Sequence, residues 1–267
     1  MEATREEHAS ELPEINTITT ADLFECLKSG WNDYKRAPAI GFMFSAFYVL
    51  GGYVIVSVLF FAGEIWWVMP LTVGFPLLAP FAGVGFYATS CLIEHKETVS
   101  WRRVLTCALL ERKRQIPWVG AIIVIWFLLY MLISHAIFAI TMGLTALTNI
   151  TNSFGLFFTP SGIGMLIAEV VVGAGFAFAL FSITLVSLPL LLEREVDFVT
   201  GIVTSVRAVM LNFGVLMVWA FIIAVIMFVS MIPLLLGLFI AMPVLGHATW
   251  HLYRKLLDAP EVPKVHF

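Results

Sequence analysis

The sequence predicts an all-α membrane protein, and three observations carry that prediction. Of its 267 residues, 60 % are apolar and only 12 % are charged, whereas about a quarter of a typical globular chain is charged. The apolar residues run in stretches of about 20 or more, enough for a helix to cross a bilayer. The basic residues fall in four blocks separated by pairs of such stretches. A chain this apolar has no surface to offer water, so the bilayer is its solvent. The net charge of −3 is not the strongly basic balance of a nucleic-acid binder, and no nucleic-acid partner is expected.

The spans read as about 39–62, 66–93, 117–140, 162–192, 213–231 and 233–253. Ahead of them, residues 1–20 hold five Glu against one Arg and no apolar run, which predicts a mobile acidic tail rather than a signal peptide. Residues 21–257 form one membrane domain, and 258–267 a C-terminal tail. A short turn at Gly63-Glu64-Ile65 closes the first hairpin, and the uncharged segment Thr141 to Pro160 closes the second. Pro233 marks the turn of the third, since proline suits the first turn of a helix.

Orientation follows from the basic residues. Arg5, Lys28, Lys35 and Arg36 precede the first span; Lys96, Arg102, Arg103, Arg112, Lys113 and Arg114 separate the second from the third. Arg194 and Arg207 separate the fourth from the fifth, and Arg254, Lys255 and Lys264 follow the sixth, which accounts for all 15 Lys and Arg. By the positive-inside rule these segments and both termini are cytoplasmic. One missed or invented span would scatter the basic residues over both faces.

Each hairpin is preceded by a predicted interfacial helix. The apolar faces are Leu23, Phe24, Leu27 and Trp31 in the first; Trp101, Val104, Leu105 and Ala108 in the second; and Val199, Ile202, Val203, Val206 and Met210 in the third. Pro38-x-x-Gly41 and Pro117-x-x-Gly120 recur at the entries to the first two hairpins, which makes a threefold internal repeat plausible, although the third copy lacks the proline.

Few residues offer chemistry. Glu169 lies about two turns inside the fourth span, where an ionisable group is costly unless partnered. His135, in the outer part of the third span, is its predicted partner. The pair reads either as a polar tie between helices or as a proton or ligand site. Pro70, Pro76 and Pro80 break the hydrogen-bond ladder of the second span, whose freed carbonyls must be satisfied by neighbours or line a wet path. Arg102, Arg103, Arg112, Lys113 and Arg114 suit anionic lipid headgroups. His247 and His251 share one helical face, but two ligands on one turn do not close a metal or haem site. The cysteines Cys26, Cys91 and Cys107 lack metal-ligand spacing and read as reduced thiols. No metal site, cofactor or catalytic constellation is expected.

The runs Glu94-His-Lys-Glu-Thr-Val-Ser-Trp101, Ser187-Leu-Pro-Leu-Leu-Leu-Glu-Arg-Glu-Val-Asp197 and Gly246-His-Ala-Thr-Trp-His-Leu-Tyr-Arg254 resemble a family of bacterial integral-membrane proteins known only as a domain of unknown function. The likeness extends from about Phe75 to Leu257. It implies a bacterial inner (plasma) membrane and brings no activity. Some members are labelled as similar to the first subunit of cytochrome c oxidase. This chain departs from that subunit, which has about twice as many helices and a set of intramembrane histidines for haem and copper.

Two function classes stay open. One is a non-enzymatic accessory or assembly subunit of a larger membrane complex, respiratory complexes among them, with membrane lipids and other integral membrane proteins as partners. The other is a channel or transporter for a small solute or lipid, for which a cavity near Pro76, Pro80 and Glu169 would be the mark.

Overall fold

The computed structural model describes residues 14–62, 71–72, 74–111, 115–143 and 154–258. The predicted acidic tail up to residue 13, the turn at Gly63-Glu64-Ile65, most of the outer segment after Thr141 and the last nine residues lie outside them. So do Pro70, Arg112, Lys113 and Arg114.

The helices are α1 (Thr20–Arg36), α2 (Pro38–Ala62), α3 (Pro80–Glu94), α4 (Trp101–Glu111), α5 (Ile116–Met142), α6 (Pro160–Thr184), α7 (Ser187–Glu193), α8 (Phe198–Leu211), α9 (Phe213–Met231) and α10 (Leu238–Leu256). Four stretches among the described residues are long and apolar enough to cross a membrane: Pro38–Ser57, Ile116–Met142, Pro160–Glu193 and Phe213–Met231. They correspond to the first, third, fourth and fifth predicted spans.

The other two predicted spans take a different form. The second is not one straight helix: a 3-10 turn, Phe75–Leu78, precedes α3, and Pro76 and Pro80 sit at the starts of these two pieces. The sixth begins later than predicted, because residues 232–237 form turns and the helix starts at Leu238. Leu234 and Leu235 adopt φ of 51° and 65° there, a left-handed conformation costly for non-glycine residues. Two tyrosines of α2 serve these breaks. Tyr48 donates its hydroxyl to the Phe75 carbonyl, and Tyr53 donates to the Leu234 carbonyl, so oxygens outside a regular ladder are not left bare at membrane depth.

The fourth span is also bent. It turns at Leu185–Val186 between α6 and α7. Pro189 explains the bend, since it has no N–H for the carbonyl four residues back. At the bend the Val186 N–H leaves the helical ladder and donates to Ser205 Oγ on α8, at 3.0 Å.

Helix α10 is the axis of the packing. It is buried from Leu238 to Leu256 along much of its length and lies against α1, α2, α3 and α9. Such burial is how a helix carrying Pro243, His247, His251 and Arg254 is accommodated. Gly30 of α1 meets α10 so closely that an added Cβ would lie 2.6 Å from both Ala248 N and Val244 O.

Helices form over all three predicted interfacial segments, and each packs on the bundle through a stripe that is largely distinct from its large apolar residues. In α1 the stripe Leu23, Cys26, Gly30 and Asp33 is buried, while Phe24 and Trp31 stay exposed. In α8 the buried stripe is Gly201, Thr204, Ser205 and Ala208, and Val199, Val203 and Met210 point outward. In α4 Val104 and Cys107 are buried and Trp101 is exposed. Small and polar residues allow close approach between helices, whereas large apolar ones gain most from lipid.

The segments predicted to share one face do converge at one end of the bundle. Lys255 Nζ lies 2.6 Å from Asp22 Oδ1 and 2.7 Å from Glu25 Oε2. Arg254 bridges the ends of α3 and α7, with Nε 3.0 Å from Glu94 Oε2 and Nη2 2.5 Å from Glu193 Oε1. The strand-like segment before α1 pairs Ile15 with Leu257, and Asn212 ties it down by accepting from Ile18 N at 2.9 Å.

The Lys255 clasp predicts a pH window. The Lys255 ammonium, then Thr19, hold the Asp22 carboxyl well below the usual range. Asp22 and Glu25 raise the Lys255 ammonium above its ordinary value. The Asp22 contribution is present above its unfolded value of about 3.9 and is lost as pH falls through the depressed folded value. That of Lys255 is present below about 10.4 and is lost as pH rises through the raised one. Protection of the α1 amides, the intrinsic exchange rate divided by the observed one, is therefore expected to be greatest between about pH 5 and pH 10 and to fall beyond either limit. A rate that tracks only intrinsic exchange chemistry would contradict the clasp.

Candidate functional site

Three features of the bundle interior offer a site: a buried carboxylate on α6, a polar cluster between α1, α3 and α10, and an apolar groove.

Glu169 is 1 % exposed. Its Oε1 accepts from Ser134 Oγ at 2.5 Å and its Oε2 from Tyr130 OH at 3.1 Å. Both donors lie on α5, the helix that carries His135. Hydroxyl donors on each oxygen make the group a tie between α5 and α6, which pack against each other. Trp126 Nε1 adds a second tie, donating to the Phe176 carbonyl at 3.0 Å.

The polar cluster joins residues far apart in sequence. Asp33 Oδ2 accepts from Ser90 Oγ at 2.9 Å and lies 2.8 Å from His251 Nε2. Ser90 Oγ is also 2.8 Å from His247 Nδ1. His247 is fully buried, with its ring 5.7 Å from that of Phe86. The shared face of His247 and His251 is therefore real, but each ring meets an oxygen. Among the described residues no group of three or more His, Cys, Asp or Glu is arranged to hold a metal. Asp33 and Ser90 escape sequence reasoning because they lie 57 residues apart; Asp33 differs from its neighbours only in being an acid amid basic residues.

The groove encloses about 630 Å³ between α6 and α9, with the second-span segment and α10 as its rear wall. That volume lies within the usual range for small-molecule sites, about 300–1,000 Å³. Helices α6 and α9 scarcely touch each other. Among their lining residues, Gly173, Ala174 and Ala177 of α6 and Ala220 and Ala224 of α9 are small and leave space between larger neighbours such as Phe178, Phe181 and Phe228. Phe221 and Val170 line the groove and are also exposed, so it opens sideways toward the lipid. Pro76 and Pro80 line its rear wall; Glu169 is not among the lining residues. None of the lining residues is charged. Two of its polar groups are spent on their own helices, with Thr184 Oγ1 donating to the Leu180 carbonyl and Thr249 Oγ1 to the Leu245 carbonyl, each at 2.8 Å.

On the predicted headgroup surface, Arg103 pairs with Glu97 at 2.7 Å and Arg102 lies over the Trp101 ring. Arg103 is thus partly neutralised, and Arg102 stays beside an exposed aromatic, a pairing suited to the membrane interface.

No curated protein and no solved structure matches the chain. The run from Gly246 to Arg254, part of the likeness noted in the sequence, lies outside the residues that match a family. Residues 68–193 match the family described as a predicted integral membrane protein, DUF2189, so this part of the chain carries an integral-membrane domain whose function is unknown.

Proposed function

We propose that the protein is a non-enzymatic integral membrane protein that holds a lipid chain, or an apolar molecule of similar shape, in the groove between α6 and α9. The observation that supports this is the uncharged, laterally open groove itself. A path for ions or polar solutes needs charged or unpaired polar groups along its wall, whereas an acyl chain needs none. The groove spans Met217 to Phe228 on α9, about 16 Å at 1.5 Å per residue, so it takes a chain lying along the membrane normal. Purification in mild detergent followed by native mass spectrometry and organic extraction tests this. A stoichiometric apolar molecule is expected; a chain that carries none, even after incubation with lipid, would contradict it.

A second reading, an accessory or assembly subunit of a larger complex, has its own support. Gly164 and Gly175 lie three turns apart on one side of α6, and a Cβ at either would meet nothing within 4 Å. Outward glycines on a span suit close packing against another transmembrane helix. A partner copurifying in fixed ratio, and lost on changing both to leucine, would favour this reading.

The six-span arrangement in a bacterial inner membrane, with both termini cytoplasmic, belongs to the same proposal. Moving a basic residue outward opposes the membrane potential by about 2.3 kcal/mol per charge per 100 mV. Single cysteines at positions 98 and 198 should be protected from an impermeant reagent in intact cells, and one at position 150 should react. The reverse pattern would overturn the orientation, and a mixed one the count of six.

A further inference from the structure

Four of the six tyrosines spend their hydroxyls on an acceptor of the fold: Tyr48 on the Phe75 carbonyl, Tyr53 on the Leu234 carbonyl, Tyr130 on Glu169 and Tyr253 on Glu193. Tyr34 is partly exposed on α1. Tyr87 differs from all of them. It is only 6 % exposed, and among the described residues nothing hydrogen-bonds to its hydroxyl. A buried hydroxyl without a partner is costly, and this one belongs to the wall of the groove. Gly83, which also lines the groove, makes room for it: a Cβ there would lie 2.9 Å from the Tyr87 oxygen. The oxygen is not sealed in, so a partner that enters the groove can reach it.

Two further hydroxyls line the same end of the groove, those of Thr184 and Thr249. Each gives its proton to a carbonyl of its own helix, which leaves the oxygen able to accept. Thr249 stands five residues before Arg254, Tyr87 seven before Glu94 and Thr184 nine before Glu193. At 1.5 Å per residue the three hydroxyls therefore lie about 8–14 Å inward from the ionic end of the bundle. This end of the groove offers one free donor and two oxygens that can only accept, with no charge among the lining residues.

We propose that the occupant is a neutral lipid of the diacylglycerol type: an ester carbonyl accepts from the Tyr87 hydroxyl, and the free glycerol hydroxyl donates to a threonine oxygen beside it. One acyl chain runs outward along α6 and α9, and the other leaves through the lateral opening. The inference rests on the groove reading above and adds the polar chemistry of the occupant.

The complementarity works in both directions. A plain hydrocarbon would leave the Tyr87 donor unmatched, and a lipid with carbonyls alone would leave both threonine oxygens without a donor. A phospholipid would bring a phosphate in with its glycerol, and a charge at this depth is costly where no opposite charge meets it. A diacylglycerol carries one class of acceptor, one donor and no charge.

The test uses the full chain in phosphatidylcholine nanodiscs with three neutral probes that carry a diazirine in the chain: a diacylglycerol, its 3-deoxy analogue (a diacylpropanediol) and an alkane of the same chain length. Crosslinking at Ala177 and Ala224 in the groove is measured against crosslinking at Leu128 and Leu132, which face outward on α5. Tyr87→Phe should lower the diacylglycerol ratio about fivefold, the worth of one hydrogen bond, and leave the alkane ratio unchanged. In the parent, the deoxy probe should label the groove about fivefold less than diacylglycerol, and Thr184→Val with Thr249→Val should remove that difference. A diacylglycerol ratio that ignores Tyr87→Phe, or a parent that labels equally with the deoxy probe, would overturn this assignment while the groove reading stands. A groove that none of the three probes labels above the outward face would overturn both.

Discussion

The Arg254→Ala variant is expected to lose about 3–5 kcal/mol of stability, the usual cost of stripping one partner from a buried ion pair. Glu193 is fully buried, and its other contact is the Tyr253 hydroxyl, donated to Oε2 at 2.5 Å. Arg254 also reaches Glu94 and lies over the Trp250 ring, 5.0 Å from its centroid. Its removal therefore frees the ends of α3, α7 and α10 together. Two apolar replacements, Glu193→Leu with Arg254→Met, should recover much of the loss, because no charge then remains buried. Thermal unfolding in a mild detergent measures both. A single variant as stable as the parent would show that the ion network does not hold this end of the bundle.

Gly30→Leu is expected to have an effect of similar size through a different mechanism. The atoms an added Cβ would strike, Ala248 N and Val244 O, are backbone and cannot rotate away. Even the Gly30→Ala change should cost about 1–3 kcal/mol, as overpacking generally does. A leucine must push α1 off α10, and with it Asp33 away from Ser90 and His251. Limited trypsin digestion reports the displacement, since Lys28, Lys35 and Arg36 all lie on α1. Cleavage there should become rapid in Gly30→Leu; unchanged protection would contradict the packing of α1 on α10.

Much of the architecture is legible in the sequence for physical reasons. The four long apolar stretches are read directly, because a bilayer permits little else, and the grouping of basic residues anticipates the gathering of Asp22, Glu94, Glu193, Arg254 and Lys255 at one end. The sixth segment is harder, since His247, His251 and Arg254 make α10 too polar to read as lipid-facing; only its burial inside protein accounts for it. The second is hidden by its own prolines, and the carbonyls involved find Tyr48 rather than a helical partner. In the three short helices the sequence pattern shows the apolar side but not which residues dock on the bundle. Apolarity marks the core face of a soluble helix, yet in α1 and α8 Gly30, Cys26, Gly201 and Ser205 dock beside Leu23 and Val209, while Phe24, Trp31, Val199, Val203 and Met210 face outward.

The site was legible only in part. Pro76 and Pro80 pointed to a break in the second span, and that break lines the groove. The small residues of α6 and α9 that open it carry no distinctive motif. Glu169 was found by its cost at membrane depth, but its donors Tyr130 and Ser134 are ordinary residues on a neighbouring helix. Asp33 and Ser90 become partners of His251 and His247 only once α1 and α3 are laid against α10.

The central claim, an apolar occupant between α6 and α9, is tested most directly by filling the groove. Ala177→Phe and Ala224→Phe place rings into the space without adding charge. Crosslinking of a neutral, diazirine-bearing diacylglycerol to the full chain in phosphatidylcholine nanodiscs should label α6 and α9 of the parent and fall about tenfold in the double variant, equivalent to roughly 1.4 kcal/mol. Labelling that is as strong in the filled groove as in the open one would contradict the account.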